Sequence, residues 1–357
     1  MLASRFCTLC RRHAHISFKK QAKNLSQTGS GKLTNAEVRK KRNGMFEEEK
    51  SRQMEFIKRI EKVTVTYNGP PETEEENITL LMNKHISTPY NCAMHINEFL
   101  MKRSIVALVD GEPWDMHRPL VNDCELELKH MLDEDPSLPN QVFWRTGSFV
   151  LGYIIDTAFK DDIYVELCDY PRTKVEHGCF MYDVDLKIPD WNPSKMELNC
   201  LSRVGGSLWT KGLDFEPLDV NGDLALKMFE DNRHKTKLLK QLLQYSAKDS
   251  ISLYRIGDYV DFSKGPLINN TAQIHRFCVT AVHQVENDMY GKVYRFQALA
   301  LPIDLKMHWW AWEFLCRRAA KLNKTPIQYI HKGTTEEDMK GVSELVENLQ
   351  KSEKAYS

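Results

Sequence analysis

The chain has 357 residues, with 49 Lys or Arg against 49 Asp or Glu and 42% hydrophobic content. That length gives room for two or three domains and a sizeable core, and the composition excludes a mainly disordered chain. No run approaches the ~18 consecutive apolar residues of a membrane-spanning helix, and nine Cys at irregular spacing fit reduced thiols better than a disulfide scaffold. The net charge of zero hides an asymmetry. Residues 1–62 hold 16 Lys/Arg and 6 Asp/Glu, a net of +10, so the remaining 295 carry a net of −10.

In chain order, residues 1–33 read as a mitochondrial transit peptide. Seven Lys/Arg and four Ser precede the first carboxylate, Glu37, and Arg5, Arg11 and Arg12 interrupt any secretory apolar core. Cys7, Cys10, His13 and His15 lie inside that segment and lack a second ligand pair at zinc-finger spacing, so no metal site is expected there. Residues 34–62 read as one long charged helix opened by a Thr34/Glu37 capping box. Its poor amphipathicity predicts little burial, and Arg39, Lys40, Lys41 and Arg42 form a candidate phosphate-contacting arm.

Residues 63–131 alternate short β-branched runs with a single helical stretch at 91–101, the pattern of a small α+β domain compatible with a β-grasp arrangement. Strands are predicted at Val63–Tyr67, Ile105–Val109 and Cys124–Lys129, with an acidic patch at Glu72 to Glu76. Further on, Gly205-Gly206 reads as a turn pair rather than a phosphate cradle, and no GxxxxGK[ST] loop exists.

The string Trp114-Asp-Met-His-Arg-Pro-Leu-Val-Asn-Asp-Cys-Glu-Leu-Glu-Leu128, with Thr88-Pro-Tyr90 and Ala107 to Gly111, closely resembles the TGS domain that opens threonyl-tRNA synthetases. Residues 132–305 resemble the editing domain that follows it. Phe143 to Gly152 matches the helix that carries H-x-x-x-H, Gly178 to Asp183 matches a G-F-Y-Y-D strand, and Val260 to Leu267 matches the stretch bearing C-x-G-P-H. The resemblance implies an α+β chain: a small β-grasp domain, a larger editing-like domain and helical extensions at both ends.

In the synthetases the editing pocket is a cluster of two His from H-x-x-x-H plus a Cys and a His from the loop. His at i and i+4 share one helix face, and such groups position a water and exchange its proton near neutral pH. Here the matching positions are Arg145, Phe149, Ser263 and Leu267. Phe and Leu neither ligate metal nor carry a proton, so a filled pocket and no hydrolysis are expected. His275 and His283 read as ordinary strand histidines. Aminoacylation is not expected either, because no F-R-x-E motif is present and 57 residues follow residue 300.

Residues 306–357 leave the synthetase pattern. Met307 to Leu322 reads as a helix with three Trp, and Arg317, Arg318 and Lys321 make it a candidate partner-binding element. Its Trp residues can equally cap the protein's own core. Together these features resemble the threonyl-tRNA-synthetase-like proteins of the mitochondrial large ribosomal subunit. That resemblance implies a non-enzymatic, matrix-located component of the ribosome. Its expected partners are large-subunit rRNA and neighbouring ribosomal proteins, with no cofactor, no metal and no membrane span. The alternatives are a free-standing tRNA deacylase using Lys235, Ser263 and Asp183, or a regulatory binder of tRNA or synthetase. Residual nucleotide or tRNA contact at the old pocket stays open.

Overall fold

The computed structural model describes residues 33–69, 77–170, 175–245, 249–287 and 289–325. Residues 1–32 of the expected transit peptide, the patch at 72–76 and the extension beyond 325 lie outside the described residues, so the expectations for them are not tested by the fold.

Helix α1 (Asn35–Glu55) starts at the capping box anticipated above, with the Thr34 hydroxyl accepting from the Glu37 N–H and the Glu37 carboxylate accepting from the Thr34 N–H. The expectation that this helix buries little is corrected. Asn35, Val38, Arg42, Phe46 and Glu49 form a narrow buried stripe against the body. Only two of the five are apolar, so the stripe leaves almost no trace in hydrophobic periodicity. Asn35 donates to the Ile163 carbonyl (2.7 Å) and accepts from the Val165 N–H (3.1 Å), which satisfies a polar group that burial would otherwise penalise.

The next unit is a five-stranded sheet in the order β2-β1-β5-β3-β4, built from β1 (Lys62–Tyr67), β2 (Ile78–Asn83), β3 (Val106–Val109), β4 (Glu112–Trp114) and β5 (Cys124–Lys129). The β1/β5 pair is parallel and the others antiparallel, which gives the β-grasp sheet. Val65, Tyr67, Ala107 and Leu126 alternate onto one face and meet Cys92 and Ala93. The expected single helix at 91–101 is two, α2 (Pro89–Ile96) and α3 (Glu98–Arg103). They break at Asn97, whose extended backbone and side chain cap the second helix by accepting from the Phe99 N–H at 2.7 Å.

The larger unit is organised by α4 (Ser137–Ala158), which is buried along most of its length. Around it lie β6 (Val165–Asp169), β7 (Phe180–Leu186), β11 (Ile274–Asn287) and β12 (Gly291–Pro302) in an antiparallel sheet ordered β11-β12-β7-β6. A second sheet, β10-β9-β8, comprises β8 (Glu216–Asn221), β9 (Ser250–Ile256) and β10 (Tyr259–Phe262). Helices α5 (Lys195–Lys211), α6 (Gly222–Met228), α7 (Arg233–Tyr245) and the terminal α8 (Trp309–Ala319) complete the unit.

Gly205 and Gly206 lie within α5 and make no turn. A Cβ at Gly205 would sit 2.9 Å from Ile154 Cδ1, so the residue lets α5 approach α4 closely, and packing overrides its weak helix propensity.

Phe46 is fully buried among Leu218, Phe229, Leu239 and Leu253. Phe46→Ala is expected to lower stability by about 3–5 kcal/mol in denaturant unfolding. Lys40→Ala, at an exposed position of the same helix, is expected to change it by less than about 0.5 kcal/mol.

Candidate functional site

Arg145 and Phe149 lie one turn apart on α4 and face the loop that carries Ser263 to Leu267. The Arg145 guanidinium donates to the Gly265 carbonyl and, at 2.9 Å, to the Pro266 carbonyl, so it clamps the loop backbone. Phe149 is fully buried and meets Tyr259, Phe215 and Tyr254 edge to face, with ring centroids 5.3, 6.1 and 6.3 Å away. Leu267 is buried beside them, and the Ser263 hydroxyl accepts from the Tyr170 phenol at 3.0 Å. Gly265 holds φ +57°, and a Cβ there would meet the Tyr254 oxygen at 1.7 Å, so only glycine fits. The four positions are filled by a guanidinium clamp, an aromatic core residue, a hydroxyl already hydrogen-bonded and a buried leucine.

Lys235 is held in place as a structural ion. It is 1% exposed, and its ammonium donates to Asp261 at 2.9 Å and to the Tyr182 phenol at 2.8 Å while lying 4.4 Å from the Phe262 ring centroid. Tyr182 and Tyr259 also donate to the Asp261 carboxylate, at 2.7 and 2.9 Å. Burial, reinforced by that carboxylate, holds both phenols well above their ordinary pKa, which keeps them donors. Asp183 belongs to a different cluster: Arg295 grips it with two bonds of 2.7 and 2.8 Å, and neighbouring strand residues point to opposite faces. Lys235, Ser263 and Asp183 therefore do not converge on one site.

Among the described residues, one group of three donors has metal-ligand proximity: Glu166, Asp185 and His234, with their atoms within 4.8 Å of one another. Arg233 pairs with Glu166 at 3.1 Å and also with Asp185, and Lys187 lies 2.7 Å from Asp185. The carboxylates are already neutralised by two cations, and the group reads as an ion-pair network.

The candidate arm is largely turned inward. Arg39 pairs with Asp156 at 3.2 Å, Lys41 with Glu230 and Asp231 at 2.6 and 2.8 Å, and Arg42 is buried with its guanidinium 4.7 Å from the centre of the Phe229 ring. Lys40 alone of the four is exposed.

The terminal helix uses its faces differently. Trp312, Leu315, Cys316 and Ala319 pack on Cys179, Met181 and Leu299, while Trp309, Trp310 and Phe314 stay 63%, 61% and 55% exposed. Trp310 and Phe314 stack in parallel, and Arg317, Arg318 and Lys321 are exposed beside them. His283 contacts the Ala320 carbonyl at 3.0 Å, an ordinary strand histidine securing the helix end. A further cationic face, Arg233, Lys237 and Lys240 on α7, escapes a search for contiguous charge because leucines interleave it; its signal is the absence of acids between 232 and 245.

The β-grasp unit and the filled pocket define a catalytically disarmed relative of the N-terminal region of threonyl-tRNA synthetases. A TGS domain matches at residues 81–130. The chain is 29% identical over 262 residues to the probable cytoplasmic threonine–tRNA ligase 1 of Dictyostelium discoideum, covering 71% of this chain and 34% of the ligase. With the cytoplasmic threonine–tRNA ligase 2 of Homo sapiens it shares 28% over 227 residues, 63% of this chain and 26% of the ligase. It therefore spans about a third or less of these ligases. It is 39% identical over 283 residues to the large ribosomal subunit protein mL39 of Drosophila melanogaster, covering 79% of this chain and 84% of that protein. The chain belongs to the mL39 family of large ribosomal subunit proteins.

Two outcomes follow from the buried ions. Lys235→Met is expected to cost about 3–5 kcal/mol because it strands Asp261. The Lys235→Met/Asp261→Asn double variant is expected to recover much of that loss in a double-mutant cycle. Burial also pushes the Asp169 carboxyl up from 3.8 to about 6, partly offset by Lys235. A carboxyl raised on folding favours the folded state while protonated, so its contribution is present below pH 4 and is lost as pH rises through 6. Asp169→Asn is therefore expected to melt higher than wild type at pH 8 and to match it near pH 4, measured by thermal unfolding across pH.

Proposed function

We propose that this chain is a structural component of the large subunit of the mitochondrial ribosome, in the matrix, supporting translation through rRNA and protein contacts and catalysing no reaction. The observation that carries the reading is the interlocked filling of the four editing positions by Arg145, Phe149, Ser263 and Leu267, in a chain that belongs to the mL39 family. A group that activates water needs a free lone pair to take its proton: Phe149 and Leu267 have none, the Arg145 guanidinium has none, and the Ser263 oxygen already accepts from Tyr170. The acid-free leader supports the organelle assignment.

We assign the partner contact first to α8 and the residues just after it. The exposed Trp309, Trp310 and Phe314 offer apolar and stacking surface, and Arg317, Arg318 and Lys321 offer charge to a phosphate or carboxylate partner. On α1, Lys40 is the candidate of the original four that keeps an exposed side chain. Reversing all of 39–42 would break the pairs that seat α1, so it would not report on RNA contact alone.

The test is gradient sedimentation of a tagged full-length chain from mitochondrial lysate, with Trp310→Ala/Arg317→Glu alongside. The wild type is expected with the large subunit at moderately raised salt, and the variant is expected to shift toward the top of the gradient. Wild type found only as free protein would sink the proposal. Release of serine from mischarged tRNA is expected to stay at the background rate.

A further inference from the structure

The body of the chain is acidic, so an RNA-facing surface on it has to be a local exception. Helix α7 is one such exception, separate from the end of α8. From Arg233 to Tyr245 it reads Arg-His-Lys-Thr-Lys-Leu-Leu-Lys-Gln-Leu-Leu-Gln-Tyr, without one carboxylate. Its register is fixed from two sides. Leu238, Leu239, Leu242 and Leu243 join the core beneath, and the buried Asn232 caps the start by accepting from the His234 and Lys235 N–H groups while donating to the Leu167 carbonyl at 2.8 Å. That anchoring turns Arg233, Lys237, Lys240 and Gln244 outward, at spacings of four, three and four. Together with Thr236, Gln241 and the Lys41-paired carboxylate Glu230 they line a shallow groove.

The nearby acids are already taken. Lys41 reaches across from α1 to Glu230 and Asp231, and Arg233 pairs with Glu166 and Asp185. Among the described residues, no ion pair engages Lys237 or Lys240. Lys41 of α1 thus engages both carboxylates at the head of α7, and Lys237 and Lys240 stand without an ion-pair partner among the described residues.

We propose that this face of α7 seats the sugar-phosphate backbone of a ribosomal RNA segment, with Lys237 and Lys240 on phosphates and Gln241 and Gln244 donating to phosphate or ribose oxygens. The stripe runs about 16 Å along the helix axis, long enough to meet more than one phosphate. The face carries cations and amides but no aromatic side chain, a chemistry that grips backbone and does not stack on bases. It also lacks the apolar anchors that dominate protein–protein contacts. The proposal rests on the ribosomal reading above and names a second contact surface for it.

The experiment places a photo-crosslinking residue at Gln241 in the full chain and, separately, introduces Lys237→Glu/Lys240→Glu and the milder Lys237→Gln/Lys240→Gln. All are expressed in cells depleted of the native chain and sedimented over a salt series, with thermal melts confirming the fold. The crosslink is expected on large-subunit rRNA. The charge-reversed chain is expected to leave the subunit at lower salt than wild type, with the neutral variant between them. For the isolated full chain and an RNA hairpin probe, the slope of log affinity against log salt should fall by roughly two, at about one for each phosphate no longer engaged. Crosslinks only to protein, with an unchanged salt profile in a folded variant, would overturn the assignment of α7 while wild-type sedimentation leaves the ribosomal reading standing. Wild type absent from the subunit would overturn both.

Discussion

The junction at Asp115 is the constraint on which the two halves of the molecule depend. This carboxylate is 5% exposed and gathers three bonds from three places: Arg118 at 3.0 Å within its own loop, the Tyr254 phenol at 2.8 Å, and the backbone N–H of Leu267 at 2.9 Å. Arg118 then reaches Asp219 on β8 and rests 5.8 Å from the centre of the Trp114 ring. Buried hydrogen bonds to a charged group contribute about 1.5–3 kcal/mol each, and loss of the acceptor strands two buried donors. The W-D-x-x-R string of the small domain is therefore an inter-domain fastener. Because it grips the same loop that Arg145 holds from α4, the segment that borders the old pocket is stapled from both sides, with the Gly265 and Pro266 carbonyls and the Leu267 N–H committed.

Charge in this protein is spent internally before it is offered outward. Lys41, Arg39 and Lys50 cross from α1 to acids on the body, and Arg255 answers from β9 to Glu47 and Glu216. Single pairs of this kind, half exposed, contribute little each. As a set they orient a helix whose apolar contribution is small: Val38 and Phe46 buried and Met45 in part. Among the described residues, exposed cations also gather away from the N-terminal region where the sequence concentrates them, on α7 and at the end of α8.

The β-grasp strands and the loss of editing chemistry were legible because each rests on local signals: alternating β-branched runs, a long motif, and side chains that lack the needed donor atoms. The seating of α1 was not legible, because three of its five buried stripe residues are polar and the partners of Asn35 and Arg42 lie more than a hundred residues away. The Gly205-Gly206 pair misled for the opposite reason. A strong local turn signal was overruled by close packing against Ile154, which no local pattern reports. The division of the Trp residues of α8 between core and surface likewise depends on a sheet that the helix's own sequence does not describe.

Arg295 carries a last consequence. From the centre of β12 its guanidinium holds Asp183 and, with its other nitrogen, the carbonyls of Asn323 at 2.9 Å and Thr325 at 2.7 Å. Gln297 adds bonds to the carbonyls of Ala319 and Lys321. The exit path of α8 is thus written by residues of an interior strand, and the exposed aromatic face exists in its proper orientation only once that sheet has closed. Under the docking role proposed for α8, a chain with a misfolded core would lack that surface, and folding would be a precondition of recruitment.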